Sequence, residues 1–331
     1  MYKVGIFFGK FYPPHRGHLY QIVNGCTQCE KFYVVLSGRG NLDIPDEDRI
    51  RWLIQATCHI GNVKIVYLNE KDIPEYPSGW AQWCDRLECL IPEHIDVFFC
   101  GESEYMYELK TRFDAEVVVF DERRIVFPIS STEIRKDPLK YWDYILTPAR
   151  PHFCKKVLIA GPESVGKTTL TTYLSMIYNT SHSEEYGREY VTKYMGGNES
   201  HLKHSDFSRI AFYQKEQDCD ALRHANKVCF FDTDAVYTQF FEEAYLGSCS
   251  EDVNKLITPE DYDMVLFLSS NVPWVNDGMR SRDQSRFEDS SHLFLKYYSY
   301  GFKNIHFIDG DYNNRLKESI RLVDRLMGNE L

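Results

Sequence analysis

The sequence predicts an α/β protein of two domains, each built on a mainly parallel sheet, and three observations carry that prediction. Short apolar runs alternate with helical segments along the whole chain, which is the pattern of parallel strands joined by crossover helices. That pattern breaks at LTPARPHF (146–153), a stretch with two prolines and no periodicity, and then restarts. The length of 331 residues suits two domains at roughly 150 residues each. The first domain is expected over 1–148 and the second over 152–331.

YKVGIFF (2–8) is a strand-like run ending at Gly9, followed by a loop and a helical segment from Gly17 to Thr27. Further strand-like runs are FYVVLS (32–37), VKIVYL (63–68), IDVFFC (95–100) and EVVVF (116–120). The helical segments Asp46 to His59 and Gly79 to Ile91 separate some of them, and a helical patch follows Arg135. After the break, KKVLIA (155–160) leads through a glycine-bearing loop into a helix from Lys167 to Tyr178. Later strands are expected at KVCFFD (227–232), DMVLFLS (263–269) and NIHFID (304–309), with a terminal helix from Arg315 to Met327.

Composition narrows the function classes. Hydrophobic residues at 43% and charged residues at 26% exclude extended disorder and fibrous structure. A net charge of −11 opposes any whole-surface attraction to a polyanion, and no helix-turn-helix is legible, so no nucleic-acid partner is expected. No apolar stretch reaches the length of about 18 residues that crosses a bilayer, and MYKVGIFFGKFYPPHRGH has no signal-peptide pattern, so a cytoplasmic protein is expected. The ten cysteines are spread thinly, which favours reduced thiols. Cys26 and Cys29 form a C-x-x-C without a second ligand pair, because Cys84 and Cys89 are wrongly spaced for zinc.

GKFYPPHRGH places Gly9, Lys10, Phe11, Pro13, His15, Gly17 and His18 at a strand-to-helix join, where open parallel sheets bind ligands. Glycines admit close backbone approach and amides at a helix start face anions, so the segment reads as a phosphate site; a tight loop with a histidine N-cap is the bland alternative. Ile129, Ser130, Ser131, Thr132 and Arg135 form I-S-S-T-x-x-R, which reads as a helix cap or, paired with the first motif, as a binder of ATP β- and γ-phosphates. His15, His18, Lys10 and Arg135 with Mg²⁺ would neutralise a departing pyrophosphate, although Lys10 also reads as a solvated lysine. Trp80 and Trp83 suit stacking on a flat cationic ring or packing in a core. Arg49 reads as a substrate-phosphate ligand or as a surface salt bridge.

In the second half, GPESVGKTT fits G-x-x-x-x-G-K-[ST] with Gly161, Gly166, Lys167 and Thr168, and Ser164 and Thr169 join the same phosphate-binding loop. Lys167 would reach the β- and γ-phosphates of ATP and Thr168 would ligate Mg²⁺. Asp232 ends an apolar strand, the position from which an aspartate meets that metal. Asp234 is a second candidate for substrate contact, or a helix cap. Arg280, Arg282 and Arg286 in NDGMRSRDQSRF (276–287) read as a phosphate-clamping lid or as a solvated loop.

The first motif pair resembles the nucleotidyltransferases that carry G-x-F-x-P-x-H-x-G-H. With GPESVGKTT following, and with YPSGW, KYWDYI, EYGREYV, FDTDAVYTQ, PWVNDGMRS and GDY in this order, the chain resembles the bifunctional NadR family over nearly its whole length. The resemblance implies an N-terminal Rossmann-like nucleotidyltransferase (nicotinamide mononucleotide, NMN, adenylyltransferase) and a C-terminal P-loop ribosylnicotinamide kinase, but without the N-terminal helix-turn-helix of many members. It implies that Glu185, Tyr186, Arg188 and Glu189 line a riboside pocket with Asp232 facing the ribose. The implied ligands are ATP, nicotinamide riboside, NMN and NAD, with room for a functional link to a nicotinamide riboside transporter and for a homo-oligomer. Two alternatives stand beside it: a nucleotide-sensing regulator, and the same chemistries on another nucleoside or a phosphopantetheine-type substrate.

Overall fold

The structure, a computed structural model, describes residues 1–101, 103–271 and 286–329, which separate into two compact units, Met1–His152 and Phe153–Leu331.

The first unit contains β1 (Tyr2–Gly9), α1 (Arg16–Cys26), β2 (Cys29–Gly38), α2 (Asp46–Thr57), β3 (Val63–Asn69), α3 (Trp80–Leu90), β4 (Val97–Cys100), α4 (Met106–Phe113), β5 (Glu116–Val119) and α5 (Ser131–Lys136). Its strands lie in the order β3-β2-β1-β4-β5, and every pairing is parallel. Neighbouring residues of a strand point to opposite faces. Ile6, Val35 and Phe98 therefore pack with Trp83 and Leu87 of α3, while Phe7, Val34 and Phe99 pack with Ile22 of α1 and Leu53 of α2. Both faces are covered, which explains the nearly continuous apolar strands. The strand order reverses at β1, so the loop after Gly9 opens at a topological switch point.

A short helix, α6 (Arg150–Phe153), precedes the second sheet. The second unit contains β6 (Lys155–Ala160), α7 (Lys167–Ile177), β7 (His182–Ser183), α8 (Tyr186–Met195), α9 (His204–His224), β8 (Val228–Asp232), α10 (Ala235–Leu246), α11 (Glu251–Asn254), β9 (Met264–Leu268), α12 (Arg286–Ser299), β10 (Ile305–Ile308) and α13 (Tyr312–Leu326). The order β10-β9-β6-β8-β7 is again parallel throughout, with β6 central. Val157, Ile159, Phe230 and Leu266 pack with Leu170 and Leu174 of α7 and Leu322 of α13.

The expected strands are present, and so are the expected helices except for the patch after Arg135, where α5 ends at Lys136 and short 3-10 turns follow at Trp142–Tyr144 and Thr147–Ala149. The sequence reading did not single out β7, which is two residues long, or α4, α9, α11 and α12. Among the described residues no helix is long and apolar enough to cross a membrane.

Candidate active sites

In the first unit Gly9, Lys10, His15, Gly17, His18, Ser130, Ser131 and Thr132 line one cleft of ≈ 660 Å³. His15 is the N-cap of α1, and its Nδ1 accepts from the Gly17 N–H at 3.2 Å. The His15 N–H donates to His18 Nδ1 at 3.3 Å, and the two rings stack with centroids 3.8 Å apart. A neutral imidazole that accepts at Nδ1 carries its proton on Nε2. Burial is the main cause that lowers His15 to about 4 and His18 well below the ordinary value. Both shifts favour neutral rings that donate from Nε2.

The second motif clamps the first. Ser130 caps α5 in a reciprocal pair with Glu133, and Ser131 Oγ donates to the Pro13 carbonyl at 2.9 Å. Arg135 donates to the Tyr12 carbonyl and, at 3.2 Å, to Thr132 Oγ1. Arg135 stands beside Thr132 at the edge of the cleft, whereas the side chains of Phe11 and Arg49 are buried and do not line it, which corrects the expected ligand contacts of those two side chains. Phe11 is 1% exposed and meets Phe7 and His18 edge-on, because its ring is needed as core beneath the loop. Arg49 is neither a free ligand nor a surface bridge. It is fully buried against Asp46 and the Lys10 carbonyl, while Asp46 also accepts from Tyr67 Oη at 2.6 Å.

Trp80 and Trp83 stack with centroids 5.2 Å apart and 8° between planes, and Tyr105 stacks on Trp80 at 5.9 Å. All three rings line the cleft, although Trp83 also packs in the core and donates to Ser37 Oγ at 3.1 Å. Core packing and an aromatic wall are thus the same arrangement seen from two sides. The sequence reading missed Tyr105 and Arg124, which line the cleft but belong to no motif.

In the second unit the loop from Gly161 to Thr169, including Ser164, joins β6 to α7. Gly161 and Gly166 have φ of +138° and +90°, and a Cβ on Gly161 would lie 2.7 Å from the Leu268 carbonyl oxygen, so only glycine fits there. Arg315 of α13, not anticipated, holds the loop by donating to the Val165 carbonyl at 3.0 Å. Lys167 is buried and donates to the Pro162 carbonyl at 2.8 Å and to Tyr237 Oη at 3.2 Å. Thr168 Oγ1 donates to Asp232 Oδ2 at 2.5 Å. Burial and nearby Glu185 raise the Asp232 carboxyl to about 6, and its buried Oδ1 has no hydrogen-bond partner among the described residues. A hydroxyl beside a carboxylate with an unused buried oxygen fits a hard divalent cation that takes its other ligands from water and phosphate.

Glu185 and Arg188 line a pocket with Tyr237, Thr233, Gln214 and Phe207, and the two form an ion pair at 3.6 Å. Tyr186 and Glu189 do not line it, which corrects the expectation for both. Tyr186 is a core ring of α8, packed against Tyr190 and Tyr213. Glu189 faces solvent beside Lys193, as the outer side of an amphipathic helix should. Of the two readings for Asp234 the structure shows the helix cap: it is a buried N-cap of α10, where its Oδ1 accepts from the Tyr237 N–H at 3.2 Å and from Tyr297 Oη at 2.6 Å. Burial raises its carboxyl to about 7. Arg280, Arg282 and the side chain of Arg286, the arginines of the expected lid, lie outside the described residues.

Residues 156–315 match the family described as AAA domain. The trifunctional NAD biosynthesis/regulator protein NadR of Salmonella typhimurium (strain LT2) is 34% identical over 347 residues, spanning 99% of this chain and 84% of the relative. A crystal structure of NadR protein in complex with NR superposes with a TM-score of 0.87 at 30% identity, covering 99% of this chain and 97% of that one. A second, in complex with NAD and AMP-PNP, superposes with a TM-score of 0.83 at 30% identity, covering 100% and 98%. Identity of 34% over 99% of this chain and 84% of the relative means that the chain belongs to the NadR family.

Proposed function

We propose that this chain is a bifunctional enzyme of pyridine-nucleotide salvage. The second unit transfers the γ-phosphoryl group of ATP to the 5′-hydroxyl of nicotinamide riboside, giving NMN. The first transfers an adenylyl group from ATP to NMN, giving NAD and pyrophosphate. The observation that carries this reading is the presence of two separate phosphate cradles in a chain matching, end to end, NadR structures with NR and with NAD and AMP-PNP.

Adenylyl transfer needs no protein nucleophile, because a phosphate oxygen of NMN itself attacks the α-phosphorus. The site's task is to hold the two substrates in line and to stabilise the leaving pyrophosphate. The Nε2–H groups of His15 and His18 would donate to it, with Ser130, Ser131, Thr132 and Lys10 on the same cleft. The stacked Trp80, Trp83 and Tyr105 suit a flat cationic ring. This wall favours a pyridinium substrate over the flexible chain of a phosphopantetheine-type one.

In the second unit Lys167 would turn from the Pro162 carbonyl to the β- and γ-phosphates. Thr168 and Asp232 would hold Mg²⁺, which when bound spreads the charge of the transferring phosphoryl group. Glu185 and Arg188 would bind the ribose side of the substrate, and Arg280 and Arg282 would clamp the phosphates. The intact Lys167, Thr168 and Asp232 set favours an enzyme over a nucleotide sensor, which has no need of phosphoryl-transfer groups. Incubation with nicotinamide riboside, ATP and Mg²⁺, followed by mass identification of products, tests the reading. NMN and NAD are expected; their absence from folded protein would overturn it.

A further inference from the structure

The cleft of the first unit has few free cations where a pyrophosphate must leave: Lys10 lines it on one side. His15 and His18 are neutral, and Arg135 is spent on the Tyr12 carbonyl and Thr132. Arg39, which also lines the cleft, is tied to the Ile73 and Pro74 carbonyls at 2.6 and 3.2 Å and to Glu70 at 3.5 Å. Arg124 is differently placed. It is exposed and lines the same cleft, and no hydrogen bond or ion pair from its guanidinium is found among the described residues.

Its backbone is held by a turn. Arg124 sits at φ +51°, the left-handed region that non-glycine residues rarely occupy. A turn centred on Asp121 holds it there: the Arg124 N–H donates to the Asp121 carbonyl at 2.7 Å. The Asp121 carboxylate accepts from the Ile125 and Val126 N–H groups at 2.6 and 3.1 Å. The charge presented by this turn is felt at both imidazoles, where it is one of the causes that hold them neutral. Backbone strain maintained by dedicated hydrogen bonds beside a ligand cleft points to a function for the side chain.

We propose that Arg124 is a catalytic residue of adenylyl transfer, its guanidinium meeting the β- and γ-phosphate oxygens of ATP beside His15 and His18. This rests on the adenylyltransferase reading of the first unit. As the NMN phosphate oxygen bonds to the α-phosphorus, the bond from that phosphorus to the bridging oxygen breaks, and the electron pair departs on pyrophosphate. A forked cation there stabilises the departing charge.

Two variants test this. Arg124→Gly removes the guanidinium while relieving the left-handed backbone, so the protein should fold with an unchanged or higher Tm. Its kcat for NAD formation should fall about 10- to 100-fold, with KM for NMN changed by less than about threefold. Arg124→Lys keeps charge without the fork and should lie between the two. Wild-type kcat in Arg124→Gly, or a loss confined to KM for NMN, would overturn the proposal. Wild-type protein that makes no NAD from NMN and ATP would instead overturn the reading on which it rests.

Discussion

The guanidinium of Arg135 lies 4.0 Å from the centroid of the Tyr12 ring and donates to the carbonyl of that same residue. One side chain thus ties the I-S-S-T-x-x-R segment to the loop that carries His15 and His18, from 123 positions away. The planar fork allows stacking and hydrogen bonding together, which an ammonium cannot reproduce.

Arg135→Lys should therefore loosen the loop and lower adenylyl transfer about tenfold, as small misplacement of oriented groups does. Kinase turnover should be unchanged. Steady-state rates of both half-reactions check this, and an unaltered NAD-forming rate would show that the clamp is dispensable.

Lys167→Ala should abolish the kinase and spare adenylyl transfer, because Lys167 belongs to the second unit and the adenylyl site to the first. Separate assays with nicotinamide riboside and with NMN read the two activities. Equal loss of both in folded protein would contradict two independent sites.

The histidine pair makes a pH prediction whose sign follows from linkage. The His15 imidazole is lowered to about 4 in the fold, below its ordinary value of 6.5. Between these values the unfolded chain binds the proton and the folded one does not. The contribution to stability is therefore complete above pH 6.5 and is lost as pH falls through about 4. Imidazole resonances of His15 should show no inflection near 6.5, and His15→Asn, which keeps a capping oxygen, should flatten the decline of Tm with acid. A normal titration near 6.5 would mean that the ring is open to water.

Most of the fold was legible because strands buried on both faces leave unbroken apolar runs, and the phosphate loops because left-handed backbone demands glycine at Gly161 and Gly166. What the pattern did not carry was the direction in which certain motif residues point. Phe11 and Tyr186 sit inside binding motifs yet serve as core, since a loop or helix that presents polar groups must itself be anchored. Arg49 belongs to an i, i+3 pair with Asp46 that turns inward, which sequence spacing does not distinguish from a surface pair. Arg124 left no signal at all, because its placement comes from an aspartate-centred turn and not from a repeat or a glycine.

Asp232 and Asp234 offer the sharpest division of labour. They are two positions apart, yet Asp232 ends β8 with one oxygen on Thr168 and the other unpartnered among the described residues, whereas Asp234 spends Oδ1 on the Tyr237 N–H and Tyr297 Oη. An asparagine oxygen can accept both of those bonds, so Asp234→Asn should keep kinase kcat within about threefold and hold Tm. Asp234→Ala should cost about 1–3 kcal/mol, by removing the cap of α10 and leaving the buried Tyr297 hydroxyl unpaired. It should also slow the kinase, because α10 carries the Tyr237 hydroxyl that Lys167 meets at 3.2 Å. Asp232→Asn should instead lose at least about a hundredfold in turnover with little change in Tm, since it removes charge from the metal side of the site without disturbing a cap. Kinetics and thermal unfolding on the three variants decide: a folded Asp234→Asn without turnover, beside an active Asp232→Asn, would exchange the two roles.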